Sequence, residues 1–145
     1  MMKKLFTIIL FTGFILSCFS QDKYLKSEEE INRLVEHSVQ LFKDKKISES
    51  FTLLTPYWPM PQNELNTLEI QTQKYMDLML TRFGEPVDYL KLKEQHLKNF
   101  AIKITYIIRF EKHAVRLIYI FYNSGKGWIL NTFHWDDQFA AEFDH

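Results

Sequence analysis

Residues able to do proton or metal chemistry are sparse in this chain, and their spacing limits what each can do. His134 and Asp136 lie two apart in a run that reads as a strand, so their side chains share a face. With His113 or His96 they could contribute to a metal site, but two ligands are too few and no further spacing supplies the rest. Asp136-Asp137 reads better as an acidic strand end meeting solvent. No Gly-x-Ser-x-Gly elbow is present to support a Ser-His-Asp nucleophile. Gly125-x-Gly127 is too short for a phosphate loop and sits in a hairpin. These residues assign no catalytic group, no metal and no cofactor.

Binding is the chemistry the side chains favour. Tyr57 and Trp58 are large aromatics on a connector with three prolines in six residues, Pro56 to Pro61. They read either as a lid on one end of the core or as the rim of a ligand pocket. Tyr75, Met76 and Met79 fall on one stripe of a long helix and either fill the core or line a cavity. Tyr106 on a facing strand completes the candidate pocket of Tyr57, Trp58, Tyr75, Met76, Met79 and Tyr106. Arg109 and His134 are further polar groups for such a site.

The elements that position these residues follow from periodicity. Ser27-Glu28-Glu29-Glu30 is a capping box, and Ile31, Leu34, Val35, Ser38, Leu41 and Phe42 follow at helical spacing, predicting a helix over Glu28–Lys45. Ser48 suits the cap of a short helix through Leu54. The prolines of Thr55–Pro61 argue against helix or central strand there. Pro61 suits the first position of a long helix whose apolar stripe runs from Leu65 to Phe83, stopped by Gly84 and Pro86. Val87–Leu97 alternates weakly and reads as an edge strand, its lysines discouraging pairing with other chains.

Phe100–Phe110, Val115–Tyr122 and Trp128–Asp136 alternate strongly. Short connections make them antiparallel neighbours. The even positions from Phe100 to Phe110, with Val115, Leu117, Tyr119 and Phe121, should face the helices. Phe139, Ala140 and Phe143 suggest a last helical turn docked by its aromatics. The expected fold is α+β: two to three N-terminal helices packed on one face of a curved antiparallel sheet of about four strands. The opposite face then carries Ile107, Arg109, Arg116, Ile118, Ile120 and Tyr122. Aliphatics rimmed by arginine and tyrosine suit an interface, so this face is read either as a contact with a second copy (a homodimer) or another partner, or as a surface covered by the chain's own lead or tail.

The chain has 145 residues, 46% of them hydrophobic and 16% aromatic, enough for one packed domain over 21–145. Lysine plus arginine equals aspartate plus glutamate, 18 each, so no basic excess drives nucleic-acid binding. Lys3, Lys4 and the apolar Leu5–Leu16 form the charged and hydrophobic regions of a signal peptide, too short to span a membrane. Cleavage after Ser20 leaves sixteen bases against eighteen acids, a mature net charge of −2. The alternative is a lipoprotein signal, Ile15-Leu16-Ser17-Cys18, with Cys18 lipidated, the one reading that places the protein on a membrane. Leucine is unusual at the second position of that motif. Cys18 is the only cysteine, so the exported domain has no disulfide and its core must hold it alone.

Amphipathic helices and a connector followed by an apolar meander, with Gly127-Trp128-Ile129-Leu130 after a glycine turn, resemble the nuclear transport factor 2-like superfamily. That superfamily takes in ketosteroid-isomerase-like, SnoaL-like and related cystatin-like cone folds. The resemblance covers about Glu28 to Asp137 and implies helices packed into a curved sheet, with dimerisation through the outer sheet face in many members. It also suggests a small exported bacterial protein of unknown function. The isomerase-like enzymes carry a pocket aspartate with a tyrosine and a second acid. Asp77 and Asp88, at helix and loop positions, have no such partners, so catalysis does not carry over. The expected function is an exported, non-catalytic domain that binds a small apolar ligand or a protein partner. The alternatives are a small isomerase- or cyclase-type enzyme and a structural cell-envelope subunit. Mass analysis of the native N-terminus should find Gln21 first or a lipidated Cys18, and an intact 1–20 segment on most molecules excludes both.

Overall fold

The computed structural model describes residues 23–144. Helix α1 (Glu28–Lys43) begins at its capping box. The Ser27 hydroxyl accepts from the Glu30 N–H at 3.2 Å, and the Glu30 carboxylate accepts from the Lys26 N–H at 2.7 Å. The helix ends two residues before Lys45, which adopts φ 64°. The N–H groups of Lys45 and Lys46 return to the carbonyls of Phe42 (3.0 Å) and Leu41 (2.8 Å), a Schellman turn with lysine in the usual glycine place. That turn delivers the chain straight into α2 (Ile47–Leu54). Ser48 therefore does not cap α2; its hydroxyl donates to Glu69 at 2.5 Å, bracing the next helix.

Thr55–Tyr57 forms one 3₁₀ turn, where the prolines argued for no helix. Pro56 fits because the first residues of such a turn need no N–H partner. Pro61 is the N-cap of α3 (Gln62–Phe83), not its first residue: its ψ of 138° is extended, and its carbonyl accepts from Glu64 and Leu65. Gly84 ends α3 at φ 80°, in a space where a Cβ would collide with the Glu111 side chain.

Four strands follow: β1 (Pro86–Leu97), β2 (Ala101–Phe110), β3 (Ala114–Asn123) and β4 (Trp128–Asp136). They pair antiparallel in chain order as an open meander, with the helices against one face, an α+β fold. β1 is the expected edge, with register shifts at Pro86/Asp88 and Lys91/Lys93. Even positions of β2 from Ile102 to Phe110 and odd positions of β3 from Val115 to Phe121 are buried, as strand alternation requires. Phe100 is the exception. The strand starts one residue later, and Phe100 lies in the turn after Lys98 (φ 50°), 55% exposed and edge-on to Tyr122 at 5.0 Å.

One buried cluster joins Ile31, Val35, Val39 and Phe42 of α1, Ile47, Phe51 and Leu54 of α2, and Leu65, Met76 and Met79 of α3 to this sheet face. A fully buried side chain of this kind contributes roughly 1.5–3 kcal/mol, and an exposed ion pair well under 1 kcal/mol, so apolar burial carries the fold. Ser38, Ser50 and Tyr119 place three linked hydroxyls inside the cluster. The Ser38 hydroxyl bonds Tyr119 Oη at 2.9 Å and Ser50 Oγ at 2.8 Å, linking α1, β3 and α2.

The lead into α1 closes part of the β4 edge. Leu25 and Trp128 exchange two backbone hydrogen bonds, both 2.9 Å, and the Lys23 N–H reaches the Pro56 carbonyl at 3.1 Å. Gly127, at φ 141°, makes room: a Cβ there would lie 2.8 Å from the Leu25 carbonyl oxygen.

Removing one hydroxyl from the buried trio should cost unequal amounts. Tyr119→Phe leaves Ser38 paired with Ser50 and should cost about 1 kcal/mol. Ser38→Ala strands the Tyr119 hydroxyl in the core and should cost about 2 kcal/mol, both read from denaturant midpoints at unchanged m. Equal or negligible costs would mean the trio is not the link between layers.

Candidate groove between helix α3 and strand β4

α3 crosses beside the end of β4 and leaves a groove of about 300 Å³. Leu68, Gln71, Thr72, Tyr75 and Met79 form the helix wall, and Phe133 to Asp137 the strand wall. The helix wall follows from the spacing 68-71-72-75-79, one flank of α3 at intervals of three and four. Five consecutive residues line the strand side because the groove runs along β4, so both faces of the pleat reach it. Tyr75 stands edge-on to Trp135 at 6.1 Å. Trp135 in turn meets Phe42 at 5.4 Å, which anchors the groove floor to the core.

Of the six residues expected to share a pocket, two line this groove: Tyr75, 55% exposed, and Met79. Met76 is buried on the adjoining face of α3. Trp58 is buried in the core against Phe51 and Phe133. Tyr57 is half-buried over a separate open depression with Leu25, Arg33 and His37. Tyr106 is buried toward β1, its ring 6.1 Å from Tyr89. Burial, then Glu36, Tyr89 and Glu94, push its hydroxyl up to about 12, so it stays a neutral donor. Sequence reasoning missed Gln71, Phe133 and Trp135 as wall residues. An aromatic at both 133 and 135 was the available signal, since neighbours two apart share a strand face and cannot both be surplus to the core.

Polar groups gather at the groove mouth. His134 Nε2 lies 2.9 Å from Asp136 Oδ2, on the shared face expected of them. Arg116 holds Asp136 by two bonds, Nε to Oδ1 at 2.9 Å and Nη2 to Oδ2 at 2.7 Å. Burial works against the Asp136 charge, but bonds from Arg116, the Gln138 N–H and His134 outweigh it and lower its pKa to about 2. The carboxylate is thus committed to an ion pair and is a poor base.

His96, His113 and His134 are not brought together. His113 Nε2 bonds the Asp137 carbonyl at 2.9 Å between Phe83 and Phe139, and His96 lies on β1. There His96, Glu94 and Glu28 offer three ligand atoms within 4.8 Å, but the Lys91 ammonium already sits on Glu94. Glu28 is in the first turn of α1, where the helix dipole disfavours a cation. Asp77 is exposed on α3, and Asp88 lies on β1, paired with Arg109 at 3.1 Å, not in a loop.

On the outer sheet face Arg109 is exposed, and Ile107, Ile120 and Tyr122 are half-buried. Ile118 is 8% exposed and Arg116 is largely covered. The cover is a 3₁₀ strap, Phe139–Phe143. Its aromatics do not dock it as expected: Phe143 is 80% exposed, and only Phe139 finds a ring, that of His113 at 5.3 Å. The strap is instead held by charge, through Glu142.

Asp136 ties stability to pH. Its folded pKa lies below its ordinary 3.8, so the stability it adds is present above that value and is lost as pH falls through about 2. The stability gap between the wild type and Asp136→Asn, followed by thermal melts, should shrink over that window. A constant gap would mean the carboxylate is not stabilised as an ion.

No helix among the described residues is long and apolar enough to cross a membrane, and Leu5–Leu16 and Cys18 lie outside those residues. Comparison of the chain with family models, with curated proteins and with solved structures finds no match.

Proposed function

We propose that this chain is a non-catalytic binding domain that takes a compact, mostly apolar ligand in the groove between α3 and β4. One observation carries the reading: an aromatic and aliphatic trough, walled by Tyr75, Met79, Phe133 and Trp135, opens beside a small polar mouth. Apolar walls with a few placed polar groups are the usual make-up of ligand sites, and about 300 Å³ is at the small end of their range. Tyr75 contributes a ring with few rotamers to lose. Gln71 and His134 supply hydrogen-bonding groups at the edge.

An isomerase-type enzyme needs a buried acid or base poised inside the cavity. The acid at this mouth, Asp136, is neutralised by Arg116, which favours binding over catalysis. Export by the N-terminal signal is part of the same proposal, supported by the residue pattern of 1–20. So is a distant kinship with the nuclear transport factor 2-like superfamily, supported by the helices-then-meander order and by Gly127-Trp128 opening the last strand.

The test uses two exposed wall residues whose replacement spares the core. An anilinonaphthalene sulfonate dye should bind the wild type with quenching of tryptophan fluorescence. Tyr75→Ala should weaken it roughly tenfold, the loss of one aromatic wall contact at about 1.4 kcal/mol. Gln71→Trp should block the groove. Unchanged dye binding in both variants would place the ligand elsewhere.

A further inference from the structure

The outer sheet face holds a second polar constellation, which meets the groove mouth at Arg116, the partner of both Asp136 and Glu142. Cross-strand pairing sets Lys93 of β1 opposite Thr105 of β2, and Thr105 opposite Ile118 of β3. Arg116 stands one pleat along from Ile118 on the same face. Lys93 and Arg116 converge on one carboxylate: Glu142 Oε1 accepts from Arg116 Nη1 at 2.5 Å, and Oε2 lies 2.5 Å from Lys93 Nζ. The Glu142 side chain is 10% exposed. Nearby, Thr105 is fully buried and its hydroxyl has no hydrogen-bond partner among the described residues. A buried hydroxyl is normally satisfied, so an unpaired one directly cross-strand from Lys93 marks a polar site that its present occupant does not fill.

We propose that Lys93, Thr105 and Arg116 form a carboxylate-recognition site for an acidic segment of a protein partner, and that Glu142 occupies it in cis as a pseudo-ligand. Three features of this face support the assignment. Charge is the first. Apart from Glu142 itself, the outer face carries Lys93, Lys103, Arg109 and Arg116 against Asp88 and Asp136, so with Glu142 withdrawn it is basic and selects an acidic partner. The strap's weak hold is the second. Ala140, Ala141 and Phe143 are exposed, so little apolar burial beyond Phe139 against His113 retains it, and its ion pairs are concentrated in Glu142. Continuity is the third. A shallow depression of Leu97, Ala101, Lys103 and Ile120 extends the site along the same face, an apolar floor with a further cation at its rim.

The partner segment therefore combines a carboxylate with apolar side chains, as Glu142-Phe143 does in cis. A tethered occupant acts at an effective concentration in the millimolar range, so the strap suppresses weak acidic ligands and yields only to a partner with more contacts.

The experiment uses the whole chain with Glu142→Ala, which empties the site. Glu142→Gln, of the same shape, serves if the alanine variant unfolds. The probe is a synthetic peptide of residues 137–144 added in trans, followed by calorimetry. Binding should be at least tenfold tighter to the emptied protein than to the wild type. It should fall at least tenfold when the peptide carries glutamine at 142, and again when Lys93→Gln is added to the protein. No binding to the emptied protein, or equal binding of the glutamine peptide, overturns the proposal. Dimerisation of the emptied protein in sedimentation without peptide also overturns it, by assigning the face to a second copy. Dye binding in the α3–β4 groove should not change with any of these variants, so failure here leaves the groove reading standing.

Discussion

The Tyr119 hydroxyl is the constraint on which the two layers of this protein depend. It lies fully buried in the middle of β3, and its only described side-chain partner is Ser38 of α1, which also holds Ser50 of α2. Apolar contacts tolerate sliding, because one aliphatic surface is much like another. Hydrogen bonds between buried groups do not, since a shift of a few ångströms leaves the Tyr119 hydroxyl without its partner in a medium that cannot solvate it. The trio therefore fixes where α1 and α2 sit over the sheet. Phe42, Phe51 and Phe133 then pack edge-to-face around that position, and Tyr119 stacks against Phe133 at 4.9 Å.

Local chemistry was legible in the sequence, and long-range pairing was not. The Ser27 capping box, the glycine stop at Gly84 and the alternation of β2 and β3 are statements about neighbours, and each describes the structure. Ser48 failed as a cap because the preceding turn, closed by Lys45 in a left-handed conformation, left no room for one. Phe100 failed as a core residue because alternation does not say where a strand begins. The groove was half visible: Tyr75 and Met79 could be read from a helical stripe. Their partner, Trp135, lies on the last strand, and nothing in the sequence couples the two. Trp58 and Tyr106 looked like pocket residues for the reason that they are core residues, large aromatics among apolar neighbours. The strap was hardest to read, since a glutamate near the end of a sequence looks like any solvated acid until two cations are found beneath it.

The two edges of the sheet are managed differently. β1 carries Lys91 and Lys93, bulges twice and stays open to solvent. β4 has no lysine or arginine along its length. Its first residue is paired by Leu25, the connector packs alongside, and α3 flanks its far end. An edge without lysine needs a physical cover where a lysine-bearing one defends itself by desolvation cost. The groove is the space left where that cover, helix α3, stands off the strand.

The backbone bridge between Leu25 and Trp128 has a consequence for how the protein is made. It joins the first described element to the last strand, and the Ser38–Tyr119 bond likewise spans 81 positions. A nascent chain emerging from the ribosome has its three helices, each with an apolar side, long before the strands that cover them. The hairpins of the meander close locally within microseconds, whereas docking the helices on the sheet must wait for distant segments and overcome the entropy of a long loop. No truncated intermediate short of Trp128 can complete the core, so the polypeptide stays loose and threadable until its final strand has been synthesised.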